Sequence, residues 1–221
     1  MLKAESKLQI INLKGFTSYE SAHNLQLETV IKRKNNEIDD TLILLEHKPV
    51  ITLGKNASKE GVLVSEETLR KQKIELHRIE RGGQATYHAP GQLVGYPIIN
   101  LHQIKSGVAK FVNNLETVMI NVSKKLGVPA KRIPGLTGIF ADIENSPKIG
   151  ALGIRVTNGI TFHGFALNID MNLQGYNLIN PCGLQSSQIT SIAKITGQKY
   201  NIEKVKDITS IEFKKVFNYK Q

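Results

Sequence analysis

Cysteine and tryptophan are the residues that this chain has least of. Its 221 residues contain one cysteine, Cys182, and no tryptophan, and aromatic residues make up 6%. A single thiol excludes an internal disulfide and a zinc site built from several thiolates. The shortage of aromatic rings leaves little for the stacking surfaces on which proteins bind single-stranded nucleic acids.

Sequence patterns that mark several other classes of protein are missing as well. No apolar run reaches the length of a membrane-spanning helix, and the first seven residues lack the apolar segment of a secretory signal. Together with the single cysteine, this predicts a cytoplasmic protein that does not bind membranes. The six histidines form no HxxxH or HExxH pattern, which predicts no metal site. No Walker A or GxGxxG spacing occurs, so a phosphate-binding loop is not indicated.

The charge balance is basic, with a net charge of +10 from 29 basic and 19 acidic residues. A positive surface favours acidic partners, either nucleic acids or acidic proteins, although a basic surface without any partner is also common. The basic residues are dispersed among acidic ones, and with few aromatic rings this predicts no nucleic-acid binding. The charge by itself does not separate an acidic protein partner from a merely solvated surface.

Hydrophobic periodicity predicts a mixture of helices and strands. Apolar residues recur at helical spacing over residues 19–36, 108–126 and 202–219. Short apolar or alternating segments predict strands at residues 41–45, 50–54, 93–99, 139–143, 154–156, 160–162 and 165–169, with a hairpin turn at Asn158-Gly159. We see no repeat and no linker, and therefore expect a single α/β domain of the α+β type over residues 1–221. Its sheet is predicted to be mixed, largely antiparallel and flanked by helices.

Four segments combine glycine with residues that bear chemistry, and each also has an ordinary interpretation. Residues 81–92 are rich in glycine and polar side chains, which suits either close approach of backbone to a ligand or a surface hairpin. Lys148 stands at the end of a predicted turn, and His163 precedes a glycine and an apolar strand. Cys182 lies between a proline and a glycine, and such a lone thiol is either a small buried apolar residue or a nucleophile.

Taken together, these segments resemble the lipoyl(octanoyl) transferase family, the lipoate-biosynthesis enzymes that move an octanoyl group from acyl carrier protein to lipoyl domains. Five stretches match in order between residues 42 and 192: LEHKPVITLG at 45–54, RGGQATYHAPGQ at 81–92, KIGALGIR at 148–155, HGFALN at 163–168, and PCG at 181–183 followed by ITS at 189–191. Their order and spacing are more specific than any single stretch. The resemblance implies a biotin/lipoate protein ligase-like fold.

The resemblance also implies roles for individual residues. Cys182 is the nucleophile that carries the acyl group as a thioester, and Lys148 stabilises the thiolate and moves a proton. Backbone N–H groups of small-residue turns at 151–153 and 164–166 are expected to hold the thioester oxyanion. His163 is expected to orient a reacting group. The substrate-binding residues so implied are Arg81, Gly82, Gly83, Gln84, Ala85, Thr86, Tyr87, His88, Ala151, Leu152, Gly153, Gly164, Phe165 and Ala166.

The partners that the resemblance implies are proteins. The donor is acyl carrier protein, whose phosphopantetheine arm carries the substrate, so no cofactor is expected. The acceptor is a lysine of lipoyl domains, in 2-oxoacid dehydrogenase complexes or the glycine cleavage H protein. Acyl carrier protein is acidic and lipoyl domains tend to be, which is consistent with a net charge of +10. We expect the enzyme itself to be a monomer.

Two competing hypotheses remain. An ATP-dependent lipoate or biotin protein ligase shares the fold but needs no nucleophilic thiol, so Cys182 argues against it. A non-enzymatic module that binds carrier proteins is disfavoured by the intact Cys182 and Lys148. Departures from the family pattern are Lys48, Ala89, Phe140 and Gly150. None removes a reactive group, but Ala89 replaces a glycine and would resist a positive φ.

Overall fold

A seven-stranded sheet forms the centre of the fold. The computed structural model describes residues 7–57, 61–180 and 188–220. Its strands are β1 (Leu8–Thr17), β2 (Asp40–His47), β3 (Val50–Leu53), β4 (Glu75–Arg78), β5 (Ala85–His88), β6 (Gln92–Ile98), β7 (Ala130–Ile133), β8 (Leu136–Ala141), β9 (Lys148–Thr157) and β10 (Ile160–Asn168). The large sheet has the order β1-β2-β6-β10-β9-β8-β7. Because β1 and β2 pair parallel and the other pairs are antiparallel, the predicted mixed, largely antiparallel sheet is confirmed.

A second, three-stranded sheet has the order β4-β3-β5. β3 pairs parallel with β4 and antiparallel with β5. Its apolar residues pack with the 3-10 helix Leu173–Leu178 in a separate small core. This sheet contains the middle of the glycine-rich segment 81–92, whose last residue, Gln92, begins β6 of the large sheet.

The helices are α1 (Tyr19–Lys34), α2 (Glu66–Lys71), α3 (Val108–Lys125), α4 (Ile192–Thr196) and α5 (Ile202–Phe217). The three long helices begin where predicted and end within two residues of the predicted ends. α3 and α5 pack on one face of the large sheet and α1 on the other. Among the described residues, no helix is long and apolar enough to cross a membrane.

Several elements were not predicted. β1 is a partly exposed edge strand, and its mixed polar and apolar residues gave no clear pattern. β4, β5, β7, α2 and α4 have at most six residues each, which is too short for a periodicity to show. The two segments 160–162 and 165–169 are one continuous strand, β10, which turns back from β9 at Asn158-Gly159 as predicted.

A polar layer replaces part of the core beneath α1. His47, His88 and His163 are 0%, 8% and 2% exposed. His47 donates from Nδ1 to the Thr17 carbonyl at 3.1 Å and accepts at Nε2 from the Tyr96 hydroxyl at 2.6 Å. Burial lowers the pKa of His47 to about 4 and the pKa values of His88 and His163 to about 3. All three imidazoles are therefore neutral at physiological pH.

A buried ionic cluster around Asp40 joins four parts of the fold. The Asp40 carboxylate accepts from Arg33 Nε at 2.7 Å, from the Asn100 backbone N–H at 2.9 Å and from the Tyr219 hydroxyl at 2.7 Å. Arg33 and Asp40 are 4% and 3% exposed, so their charges are compensated by each other rather than by water. The cluster joins α1, β2, the segment after β6 and the residues that follow α5.

The first prediction concerns this cluster. We expect Asp40→Asn to lower the free energy of unfolding by about 3 kcal/mol, because the Arg33 charge is left buried without its partner. The matched control is Asp39→Asn, the same change at an exposed neighbour, with an expected effect below about 0.5 kcal/mol. Urea unfolding at neutral pH measures both. Equal effects in the two variants would show that the buried pair contributes nothing.

The second prediction concerns the buried histidines. Their folded pKa values lie below the unfolded value of about 6.5, so the unfolded chain binds more protons between about pH 6.5 and pH 3. Stability is therefore full above about pH 6.5 and falls with pH below it, with a slope approaching about 4 kcal/mol per pH unit for three groups. Urea unfolding from about pH 7.5 to about pH 5.5 measures the slope. His88→Gln should reduce it by about a third, whereas the exposed His102→Gln should leave it unchanged.

Candidate active site

A cavity of about 480 Å³ lies between the two sheets and the β7–β8 hairpin. Its inner wall consists of buried residues, among them Tyr19, Tyr96 and His163. Exposed residues of the hairpin, Gly135 to Thr137, and Gly82 form its mouth. The cavity thus has both a buried and an exposed part of its wall, which suits a pocket for one arm of an elongated ligand. The predicted residues that line it are Arg81, Gly82, Gly83, Ala85, Thr86, His88, Lys148, Ala151, Leu152, Gly153, His163, Gly164, Phe165 and Ala166.

Of the predicted residues that the structure describes, two are not brought to the cavity wall. Gln84 is exposed. Tyr87 is buried in the core of the small sheet, where its ring packs edge-on against Tyr176 and closely against Gly175. The position of Tyr87 follows from the alternation of β5, since its neighbours Thr86 and His88 line the cavity, whereas Gln84 precedes the strand.

Lys148 is the first residue of β9 and is half-buried at the cavity wall. Its Nζ donates to the Thr137 carbonyl at 2.8 Å and lies 5.6 Å from the centre of the Phe140 ring. Its side chain crosses β8 at Gly138, where a Cβ atom would lie 2.8 Å from Lys148 Cε. Gly138 also has a φ of 112°, so this position requires glycine for both reasons. The β7–β8 hairpin therefore fixes the ammonium group.

The glycine-rich segment is held by Arg81, which is 8% exposed. Its guanidinium donates to the Thr52 carbonyl at 2.7 Å and to the Thr52 hydroxyl at 3.0 Å. Gly82 donates its backbone N–H to the Ile154 carbonyl at 3.3 Å, which ties the segment to β9. Arg81 thus holds the glycine-rich segment in place and also forms part of the cavity wall.

The predicted turns at 151–153 and 164–166 are wrong, because both segments are strands. Gly153 pairs with Gly164 and Ala151 with Ala166 across β9 and β10, and Phe165 pairs with Gly95 of β6. The Ile154 carbonyl points away from β10 towards Gly82, so by alternation the amide of Leu152 faces the same open edge. The backbone N–H groups of the other five residues in these two segments point towards the neighbouring strands with which β9 and β10 pair. They do not fit the expected oxyanion-binding role.

The two candidate histidines occupy different places. His88 donates from Nδ1 to Gln92 Oε1 at 2.6 Å, and Gln92 donates in turn to Asn168 at 2.9 Å. His163 pairs with Ile154, six residues along β9 from Lys148, which corresponds to about 20 Å of strand. Its φ is 55°, and its backbone N–H donates to Gln26 at 2.8 Å. His163 therefore forms the inner wall and stands far from the backbone of Lys148.

Cys182 lies outside the described residues, which break off after Asn180 and resume at Gln188. The described chain on the far side of the gap reaches the site. Ile189 forms a parallel bridge with Lys148, and the Thr190 backbone N–H donates to the Lys148 carbonyl at 2.9 Å. Asn168 donates from its side chain to the Thr190 carbonyl at 2.9 Å. The segment that follows Cys182 in sequence thus runs beside Lys148.

Sequence reasoning missed several residues of the site. Glu116 on α3 and Thr137 in the β7–β8 hairpin hold the surroundings of Lys148. The sequence did contain a signal for Glu116, since an acidic residue on the apolar stripe of α3 must find a buried partner. Thr137 contributes its backbone carbonyl, which no side-chain pattern reveals.

Two departures from the family pattern have structural outcomes. Ala89 is buried and does not adopt a positive φ, which Gly91 supplies instead with 85°. At Gly150, a Cβ atom would lie 2.7 Å from Ile139 Cγ1 and 3.0 Å from Met119 Sδ. An alanine at this position would therefore require Ile139 or Met119 to shift. In the part of the chain that the structure describes, no group of three or more His, Cys, Asp or Glu residues is placed to hold a metal ion.

Known proteins of similar sequence agree on a family. The model of the lipoyl protein ligase A/B catalytic domain matches residues 19–214. The octanoyltransferase of Koribacter versatilis is 41% identical over 212 residues, which cover 95% of this chain and 84% of that protein. The octanoyltransferase of Alkaliphilus metalliredigens is 41% identical over 213 residues, which cover 96% of each chain.

Solved structures agree on the fold. The bipartite lipoate protein ligase of Thermoplasma acidophilum superposes with a TM-score of 0.75 at 16% identity, over 98% of this chain and 85% of that one. The biotin protein ligase of Aquifex aeolicus superposes with a TM-score of 0.52 at 11% identity, over 95% and 69%. The predicted biotin/lipoate protein ligase-like fold is therefore confirmed. The family model and these relatives lead to one conclusion: the chain belongs to the lipoyl protein ligase A/B catalytic-domain family, and within it to the octanoyltransferases.

Proposed function

We propose that this protein is an acyltransferase that moves an octanoyl or lipoyl group from acyl carrier protein to a lysine of a lipoyl domain. One observation carries the proposal, the 41% identity to octanoyltransferases over nearly the whole chain. The cavity supports it, because its buried wall suits an acyl chain while the carrier and acceptor proteins remain outside the mouth. The catalytic unit we propose is the single domain of residues 1–221.

The first half-reaction transfers the acyl group to the enzyme. The Cys182 thiolate attacks the donor thioester carbon, the Sγ–C bond forms, and the bond to the pantetheine sulfur breaks. The departing thiolate takes a proton from the Lys148 ammonium, which leaves Lys148 neutral. Support for this pair comes from Lys148 at the cavity wall and from Ile189, seven residues after Cys182 in sequence, beside it.

The second half-reaction reverses the proton movement. The acceptor lysine amine attacks the Cys182 acyl thioester, the amide C–N bond forms, and the Sγ–C bond breaks. Neutral Lys148 takes the proton that the amine loses, which restores the ammonium and the thiolate. No cofactor enters this cycle. The buried neutral histidines His88 and His163 contribute to the wall of the cavity.

The competing hypothesis is an ATP-dependent ligase of the same fold. Lipoate-protein ligase A bound with ATP superposes with a TM-score of 0.73, but at 16% identity this likeness shows the fold alone. The two functions differ in their requirements. Octanoyl-carrier protein without ATP should suffice for the transferase, whereas formation of acyl-adenylate from free octanoate and ATP would favour the ligase.

The third prediction tests the nucleophile. Incubation with octanoyl-carrier protein should add the mass of one octanoyl group to the intact protein, because Cys182 is the only thiol of the chain. Cys182→Ser should lose both the adduct and the transfer activity. Intact-protein mass spectrometry and a turnover assay measure the two effects. Transfer by the serine variant at the wild-type rate would overturn the assignment.

The fourth prediction tests Lys148. Lys148→Ala should raise the pKa of the Cys182 thiol towards the ordinary value of about 8.5 and slow transfer by about two to four orders of magnitude. Lys148→Arg should keep part of the thiolate character but not restore transfer, because a guanidinium does not release its proton. Iodoacetamide alkylation against pH measures the thiol pKa. Lys194→Ala, on α4, is the control and should change neither quantity. If Lys148→Ala behaves like the control, another group moves the proton.

A further inference from the structure

One peptide group connects Lys148 to a buried carboxylate. The carbonyl of the Thr137–Gly138 peptide accepts from Lys148 Nζ at 2.8 Å. The N–H of the same peptide donates to Glu116 Oε1 at 2.9 Å. An ammonium, a peptide and a carboxylate therefore form one continuous line of hydrogen bonds from β9 through β8 to α3.

The carboxylate in this line is firmly placed. Glu116 is 7% exposed and lies on the buried face of α3. Its second oxygen, Oε2, accepts from Arg132 Nε at 2.9 Å. Arg132 is itself held by the Asn113 carbonyl and the Thr117 hydroxyl, both at 2.7 Å. Glu116 thus binds β7 through Arg132 and β8 through Gly138.

We propose that Glu116 is a positioning residue for Lys148, acting through the Thr137–Gly138 peptide. A carboxylate that accepts from a peptide N–H polarises the peptide and strengthens its carbonyl as an acceptor. The stronger acceptor holds the Lys148 ammonium, while the clamp on β7 and β8 keeps that carbonyl in place. This inference rests on the proposed function, because it gives Lys148 a role in proton transfer.

A neutral side chain of the same shape does not replace Glu116. The two oxygens of Glu116 face two donors, the Gly138 N–H and Arg132 Nε. The amide of glutamine offers one acceptor and one donor, so one of these contacts is lost and the charge is removed. Hydrogen bonds to charged groups are about twice as strong as neutral ones. Glu116→Gln therefore loosens the hold on Lys148 without opening a cavity.

The direction in which Glu116→Gln shifts the pKa of the Cys182 thiol distinguishes two effects. One is the positioning of Lys148, and the other is a direct electrostatic effect of the Glu116 charge on the thiol. Loss of a nearby anion, acting through space alone, favours the Cys182 thiolate and lowers its pKa. Loss of Lys148 positioning weakens the stabilisation of the thiolate and raises the pKa. Arg132 remains cationic in either case. We expect the second effect to dominate, because Lys148 is the ammonium that the proposed function assigns to the thiolate.

The experiment compares the full-length Glu116→Gln and Glu212→Gln variants. Glu212 is the matched control, a 4% exposed glutamate on α5 that accepts from Asn121 and pairs with Lys125. Glu116→Gln should slow octanoyl transfer about tenfold and move the midpoint of Cys182 alkylation to higher pH. Glu212→Gln should lower the thermal unfolding midpoint to a similar degree but leave the alkylation profile unchanged. A Glu116→Gln profile equal to that of the control, or shifted to lower pH, overturns the proposal.

A double-variant cycle separates this inference from the proposed function. In the Lys148→Ala background, Glu116→Gln should cause no further shift in the alkylation profile, because the group that it positions is gone. An additional shift of full size would show that Glu116 acts independently of Lys148 and would contradict positioning. If Lys148→Ala itself leaves the profile unchanged, the proposed Cys/Lys pair is what fails. If Lys148→Ala shifts it and Glu116→Gln does not, positioning alone fails.

Discussion

The pairing of β9 with β10 is the interaction on which the site depends. Gly153 faces Gly164 and Ala151 faces Ala166 across these strands, so the residues that wall the cavity carry almost no side chains at that point. A side chain does not fit at Gly153, since a Cβ atom there would lie 2.9 Å from the Gly82 carbonyl oxygen. Small residues leave space for a ligand, and the continuous ladder keeps that space open.

The lysine end of the cavity is ordered by hydrogen bonds from three directions. β8 supplies a carbonyl to Lys148 Nζ, the segment after Cys182 donates to the Lys148 backbone, and α3 holds the β8 peptide in place. A flexible lysine loses conformational freedom when it is held in this way. Because this freedom is lost on folding, it need not be lost again when the substrate binds. The arrangement fits the proton-transfer role that we propose for Lys148.

The opposite end of the cavity carries polar side chains on α1 and beside it. Among the described residues, the Tyr19 hydroxyl, His23 Nδ1, Gln26 Nε2 and His163 Nε2 have no hydrogen-bond partner within the protein. The rings of His23 and His163 stack with their centres 5.7 Å apart. Tyr19 and His163 also line the cavity, so this part of its wall combines aromatic rings with polar atoms. The surrounding apolar core and the Arg33–Asp40 cluster stabilise the same helix.

The sequence by itself determined the elements whose signal is local. The apolar stripe of α3 repeats within a few residues, and Asn158-Gly159 defines its hairpin turn without reference to the rest of the chain. The order of the motifs indicated the family, and the resemblance to that family indicated Lys148 as a site residue. Only the tertiary structure decided that residues 151–153 are strand, that His163 lies far from Lys148, and that Glu116 reaches Gly138. These outcomes depend on contacts between residues distant in sequence, such as Gln26 with His163, and periodicity along the chain carries no information about which distant groups will meet.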